Sequence, residues 1–456
     1  MSPRERRSHL SRRRLLSAAA TGLVGGLAGC GYRPGGGDLA WASSIPTNGL
    51  LGTETTRFAV ADDRLFVVQN QSGRTYDFAT ETWRNVENAT VSAVDGTGAA
   101  RLDAETERQA VASPAATEGS VIVPVEGGRT TAIDRDAAGI DPDAREATAG
   151  TASDGTGSDD DGGDDIRWQV DVVAPSGDES GESGGSDESN GSDESGETEA
   201  PREIGGLSAS DRLVAAVAGT KLVALDAETG DRAFTVTEAW PDGGDGAADR
   251  VAVDGEDVWV ASGGESDGGS ADGESADPAS TLVRFGPSGE RRAERSVSAG
   301  VDWLVAVDET LVVGSAAAGT VIGFDADLDR RFAVSAPTAR DRPRVVDGGD
   351  STRRRIYLHG GGTIRALDVG DGEIAWERSD APARRRAAVD ADGIYAVRSR
   401  GILAVGADGG DRWRAPLPEG VTVDELFAVG SRLIVVDDGE LYGLHATPGE
   451  RWSLLG

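Results

Sequence analysis

The sequence predicts an all-β protein, a closed β-propeller of about eight four-stranded blades, with seven as the alternative count. Three observations predict it. A short motif recurs along the chain at a period of about 40 residues. Each copy follows a β-rich run and a turn. The composition also fits, because 65 glycines with only 5% aromatic residues suit short strands and tight turns better than long helices.

The motif is clearest at residues 363–376, TIRALDVGDGEIAW: an apolar run, an Asp, a glycine four positions later and a tryptophan four positions after that. Further copies are KLVALDAETGDRAF ending at Phe234, TVIGFDADLDRRF ending at Phe332, GILAVGADGGDRW ending at Trp413 and ELYGLHATPGERW ending at Trp452. Anchored on the Asp position, the last four fall at Asp325, Asp368, Gly406 and His445, spaced 43, 38 and 39 residues apart. More degenerate copies anchor at Phe78, Asp134, Asp226 and Gly286, and eight anchors suggest eight blades. The stretch ARLDAETERQAV within 87–114 mimics an anchor but lies too close to its neighbours to head a blade.

A second β-rich run precedes each copy, as in RLFVVQNQSG, RLVAAVAGT and RLIVVDDG, and a shorter run such as RVAVDG or LFAVGS opens several units. The unit therefore holds about four antiparallel strands. The anchor Asp is placed to accept hydrogen bonds from turn amides, and the glycine takes the positive φ that the hairpin demands. A blade is covered on both faces by its neighbours, so runs such as LVALD need not alternate apolar with polar.

The recurring aromatic then fills the gap to the next blade. Trp83, Trp168, Phe234, Phe332, Trp376, Trp413 and Trp452 are the candidates for that role. Trp41, in LAWASSIP, marks a strand of the same kind near the N-terminus, placed to pair with the last blade and close the ring.

With these residues in view, Ala-Leu-Asp-x-x-Thr-Gly-x-x-x-Phe at 224–234 resembles the repeat of the PQQ-like β-propellers, a superfamily that includes quinoprotein alcohol dehydrogenases and the assembly lipoprotein BamB. The similarity runs through nearly all of residues 38–456, the propeller domain. Eight blades are also what the resemblance implies.

Three acidic, Ser- and Gly-rich tracts interrupt the repeat, at 141–165, 176–201 and 263–277. With almost no apolar residues they cannot offset the entropy of ordering, and they are expected to be disordered loop extensions on exposed blade edges. An acidic tether for cations or a basic partner is the other reading. IRWQVDVV, between the first two, carries Trp168 and supplies a last strand.

The N-terminus sets the expected address. In SRRRLLSAAATGLVGGLAGC, Arg12 and Arg13 precede an apolar run too short and too small in side chain for a good spanning helix. Residues 1–29 resemble a twin-arginine export signal with a lipobox. The resemblance implies that Cys30 is lipidated and that 30–37 form a tether. The protein would then sit at the outer face of the cytoplasmic membrane, touching the membrane only through the lipid. Cys30 is the only cysteine, so no internal disulfide forms.

Charge narrows the partners. Against 45 Lys and Arg stand 79 Asp and Glu, a net of −34, and Lys221 is the sole lysine. Such a surface repels nucleic acid and anionic lipid. The pattern resembles haloarchaeal proteins, whose carboxylates stay hydrated at high salt; GC-rich codon usage is the plainer explanation, and the two are compatible.

Chemistry is sparse. His9, His359 and His445 occupy the signal, a turn and an anchor, and no zinc spacing occurs. DGTGSDDDGGDD lacks the register of an EF-hand. The arginines of 353–355 and 384–386 are expected to pair with the acidic surface. Sequons at Asn70, Asn88 and Asn190 are glycosylation candidates in an exported chain.

These readings favour a monomeric, non-catalytic scaffold that binds another protein at the cell surface, with no cofactor and no metal site. The alternative, implied by the resemblance, is a PQQ-dependent oxidoreductase holding quinone and Ca2+ in the funnel. No aspartate matches the family's base or calcium ligands, and no cysteine pair is present.

Overall fold

A computed structural model describes residues 34–45, 52–61, 63–77, 82–135, 165–173, 203–239, 250–262, 280–298, 300–307, 309–316, 318–336, 344–346, 354–360, 362–379, 386–398 and 401–449. The signal segment, Cys30, Asn190, Trp452 and all but the last residue or less of the three acidic tracts lie outside them.

Strands pair in eight antiparallel four-stranded sheets, each formed by strands consecutive in sequence except the last. Blades I to VIII span 52–105, 115–171, 206–236, 250–297, 303–335, 344–378, 387–416 and 425–445. Blade VIII contributes three strands of its own, and its fourth is Leu39–Ser44, paired antiparallel to Glu440–His445 with Trp41 opposite Gly443. The first and last parts of the chain thus meet in one sheet and the ring closes, with eight blades rather than seven.

Eight apolar clusters hold the ring, and each joins one blade to the next. Middle strands such as Leu213–Ala218 are buried along their whole length. That is why strict alternation is missing from the sequence: both faces of a blade lie in a seam.

The motif explains each seam. All eight blades carry a bulge at the same place between the third and fourth strands, as between Ala224 and Leu225, which in six of them sets an aromatic opposite a small residue. Trp168, Phe234 and Phe332 are buried there, opposite Ala132, Ala224 and Gly323, while Trp376 and Trp413 are half-buried opposite Ala366 and Ala404.

Each ring then lies on a turn glycine of the following blade: Trp168 on Gly230, Phe234 on Gly289, Phe332 on Gly372, Trp376 on Gly409 and Trp41 on Gly98. A Cβ at Gly98 would stand 2.6 Å from Trp41 Cδ2, so nothing larger than glycine fits. Each indole Nε1–H donates to the carbonyl just past the next anchor: Trp41 to Gly96 (3.0 Å), Trp168 to Ala227 (3.2 Å), Trp376 to Ala407 (2.8 Å) and Trp413 to Ala446 (2.7 Å).

The anchor carboxylates cap the turns. Asp226 Oδ1 accepts from Glu228 N (2.9 Å) and Thr229 N (2.8 Å), and these amides hold its carboxyl below the ordinary range. Asp325 and Asp368 do the same, and Asp408 takes over where Gly406 has no side chain.

Three expectations are corrected. The anchor of blade I is Asp95, not Phe78: Asp95 Oδ1 accepts from Thr97 N and Ala99 N, and ARLDAE, taken as a mimic, is the true fourth strand, Ala100–Glu105. Trp83 lies in no seam. It is 64% exposed, and Leu102, opposite Ala93, fills its expected place at the blade I to II seam. The seat assigned to Trp452 in blade VIII is held by Trp41.

Candidate functional site

A ring of this kind offers two loop faces. On the lower face lie the turns between first and second and between third and fourth strands. On the upper face lie the turns between second and third strands and the loops from blade to blade. The strand ends that flank the acidic tract 141–165, Asp134 and Ile166, lie on the lower face, between the third and fourth strands of blade II. The strand ends that flank 176–201 (Asp171 and Gly206) and 263–277 (Ala261 and Ser280) lie on the upper face.

The lower face is ringed by carboxylates on the first turns, and these stitch neighbouring blades together. Glu118 N donates to Asp211 Oδ1 (2.8 Å), and Glu309 N to Asp254 Oδ2 (2.8 Å). Arg135 reaches Asp63 (3.3 Å) and Arg212 reaches Glu256 (2.8 Å). In blade VII the Tyr395 hydroxyl donates to Asp390 Oδ2 (2.7 Å) and accepts from Arg412 Nη1 (2.7 Å). Burial pushes the carboxyl of Asp390 and the phenol of Tyr395 up. A depression of about 290 Å³ between blades II and III is lined by Thr117, Glu118, Gly119, Arg167, Asp211 and Glu228 among others. Arg167 is held there by Ser120 Oγ at 3.3 Å and Asp134 at 3.7 Å. The face is polar and already internally bonded.

Around the axis, at the upper end of the innermost strands, one register position is occupied by Arg57, Gly206, Arg250, Trp303, Arg386 and Glu425. Arg386 pairs with Glu425 across the blade VII to VIII seam at 3.0 Å, while 384 and 385 lie outside the described residues. Arg57 Nη2 donates to Val111 O (3.2 Å), and burial lowers its pKa.

A quinone with calcium makes a definite demand on this region, since Ca2+ takes six to eight oxygens. Among the described residues placed at this level the one carboxylate is Glu425, and it is engaged by Arg386. Among the described residues no group of three His, Cys, Asp or Glu is placed to hold a metal. The described residues do not fit the group.

The most distinctive feature of the upper face was missed by sequence reasoning. In blade I the second and third strands, Arg64–Asp77 and Thr82–Asp95, run for 14 residues each, against 5 to 6 in the corresponding strands of the other blades. Their hairpin projects well past the disc. Its base is clamped by buried polar side chains: Asn70 Nδ2 donates to Ala110 O (2.9 Å), Asn70 Oδ1 accepts from Ala110 N (2.8 Å), and Gln71 Nε2 donates to Thr90 Oγ1 (3.1 Å). This corrects Asn70 as a glycosylation candidate, since its amide is buried and bonded on both sides in the folded ring. Asn88 donates to Glu105 Oε2 at 3.0 Å. The signal in the sequence was the spacing: SAVDGTGAARL is a full anchor, and counting from it leaves about 30 residues for a single hairpin.

A family profile described as outer membrane protein assembly factor BamB matches residues 360–455, the last quarter of the ring. Among solved structures the chain is similar to BamB from Moraxella catarrhalis (15% identity, TM-score 0.34, covering 87% of this chain and 100% of that one). It is also similar to Sqt1 from Saccharomyces cerevisiae (10%, TM-score 0.48, 89% and 99%). A third is the quinohemoprotein alcohol dehydrogenase ADHIIG from Pseudomonas putida HK5 (14%, TM-score 0.45, 90% and 72%). At such values none of the three decides between a binding protein and an enzyme. No curated protein matches the sequence. Among the described residues no helix is long and apolar enough to cross a membrane.

Proposed function

We propose that this chain is a protein-binding scaffold, exported by the signal at 1–29 and held at the outer face of the cytoplasmic membrane through lipidated Cys30. The observation that carries the reading is the upper face: a rigid ring with closed seams presents one clamped hairpin that no seam needs. Fold alone does not name a ligand. The family description over 360–455 names an assembly factor and is consistent with a scaffold role. The protein is a single copy within such a complex and takes no cofactor.

The test compares native membranes from cells carrying the full chain or its Cys30→Ser variant. The scaffold reading expects the wild type in the membrane fraction, eluting in mild detergent as a complex larger than the single chain, and the variant released. Purified protein given PQQ and Ca2+ in high salt should show no dye reduction with alcohols or sugars. Turnover would replace the scaffold by the oxidoreductase.

A further inference from the structure

We propose that the ring is held with its lower face toward the membrane, the lower edge of blade VIII nearest the lipid and the upper face turned outward. The proposal rests on the lipidation of Cys30 and adds the surface of the ring that faces the bilayer.

In blade III the lower turn between third and fourth strands is one continuous piece of chain, 227–231, and in blade VII it is 407–410. In blade VIII the same turn is built from two pieces, the chain leaving Glu440–His445 and the chain entering Leu39–Ser44. His445 N donates to Asp38 O (2.9 Å), and Gly37 N donates to His445 O (2.8 Å). Gly36 lies on the Trp413 ring, the place that Gly409 takes under Trp376, and Gly35 packs on the Gly449 backbone. Gly35 N also donates to Asp38 Oδ2 (2.8 Å). From Gly35 onward the N-terminal segment is therefore fixed to the ring, and it is fixed at the lower edge.

Reach then decides which side meets the lipid. Cys30 to Gly35 is a short stretch of chain, at most about 18 Å even when fully extended. The six-residue strand Leu39–Ser44 by itself rises about 20 Å from the lower edge toward the upper. In blade I, the next round the ring, the 14-residue strands carry their hairpin about 25 Å further on the upper side. A lipid on Cys30 reaches the bilayer with the lower edge against it, and falls short with the upper face against it.

Charge makes this a constraint of length and not an adhesion. The lower face carries Asp63, Glu118, Asp211 and Asp254 on its first turns. These repel anionic head groups at low ionic strength, whereas at 1 M salt the repulsion reaches only about 3 Å. The upper face, with its clamped hairpin, is then the side open to a protein partner.

The experiment adds the full lipidated chain, at high salt, to vesicles with an acceptor dye on the lipid head group. A donor dye sits on one engineered cysteine: Thr447→Cys beside the split turn, Glu228→Cys on the lower turn of blade III, or Glu238→Cys on the upper side of the same blade. All three positions are exposed. Energy transfer should be strongest from 447 and, with 228 and 238 about 20 Å apart along the strands, at least about twofold stronger from 228 than from 238. An insert of about 20 Gly and Ser residues ahead of Pro34, with a mean reach of about 25 Å, should erase that difference. Equal transfer from 228 and 238, or more from 238, overturns the orientation and leaves the anchor standing. A difference that survives the insert overturns the short tether as its cause. Flotation of Cys30→Ser with the vesicles as complete as that of the wild type overturns the anchor, and the orientation with it.

Discussion

Blade VI and blade I are built from the same four-strand unit and use it differently. In blade VI the second and third strands are short, Trp376 sits opposite Ala366, and its ring and Nε1–H both go to blade VII. In blade I the corresponding strands are more than twice as long, Leu102 holds the seam and Trp83 stands outside it. The difference separates two uses of an aromatic. Where the next blade offers a glycine the ring is mortar, and where the chain grows a ribbon the ring is on display.

The comparison breaks most severely at ring closure. Removing residues 34–44 leaves blade VIII with three strands and takes away Gly36, which lies against the Trp413 ring. Denaturant titration in high salt should show the single unfolding transition split into partial ones. Next in size, Trp376→Ala should cost about 3–5 kcal/mol by the same titration, while Trp83→Ala should cost less than about 0.5 kcal/mol.

The blade IV to V seam sharpens the rule. There the seat holds Ala293, and the next turn carries buried Leu328 at φ 60 where other blades have glycine, so bulk has moved across the seam. Ala293→Phe alone should destabilise by overpacking and Leu328→Gly alone by leaving a cavity. Combined, they should recover at least about 1 kcal/mol relative to additivity, measured by a double-mutant cycle.

The smallest effect concerns an anchor. Backbone donors from Thr229 and Glu228 hold the Asp226 carboxyl below its ordinary 3.8 in the folded state. A depressed carboxyl stabilises above its unfolded value and loses that contribution as pH falls through the folded one. The melting difference between wild type and Asp226→Asn should therefore be full at neutral pH and shrink below about pH 3.8.

Much of the fold was legible because the seam chemistry is local. Asp, Gly and aromatic lie within one hairpin, so Asp368, Gly372 and Trp376 announce a blade without reference to the rest of the chain. Trp41 was legible for the same reason. Blade I was not, because its long hairpin displaces the anchor from the expected spacing and FATETW supplies a plausible false one. The exchange between Ala293 and Leu328 joins residues of different blades, which no single repeat displays. Gly36 was read as tether, since a glycine that serves another blade's tryptophan looks like linker. Arg57, Arg250 and Arg386, at the upper end of the innermost strands, follow no motif and emerge only when those strands are placed in register.

Closure by Leu39–Ser44 is the claim on which ring, seams and faces all depend, and one cross-link tests it. Ala42 lies opposite Tyr442 in the closing pair, and directly opposed residues in antiparallel strands stand about 4.5–5.5 Å apart at Cα, within disulfide reach. In a Cys30→Ser background, Ala42→Cys with Tyr442→Cys should oxidise to an intramolecular disulfide in the folded protein, seen by mass spectrometry of the linked peptides. Folded protein whose two thiols remain free, or link only between molecules, would contradict a ring closed by its own N-terminal strand.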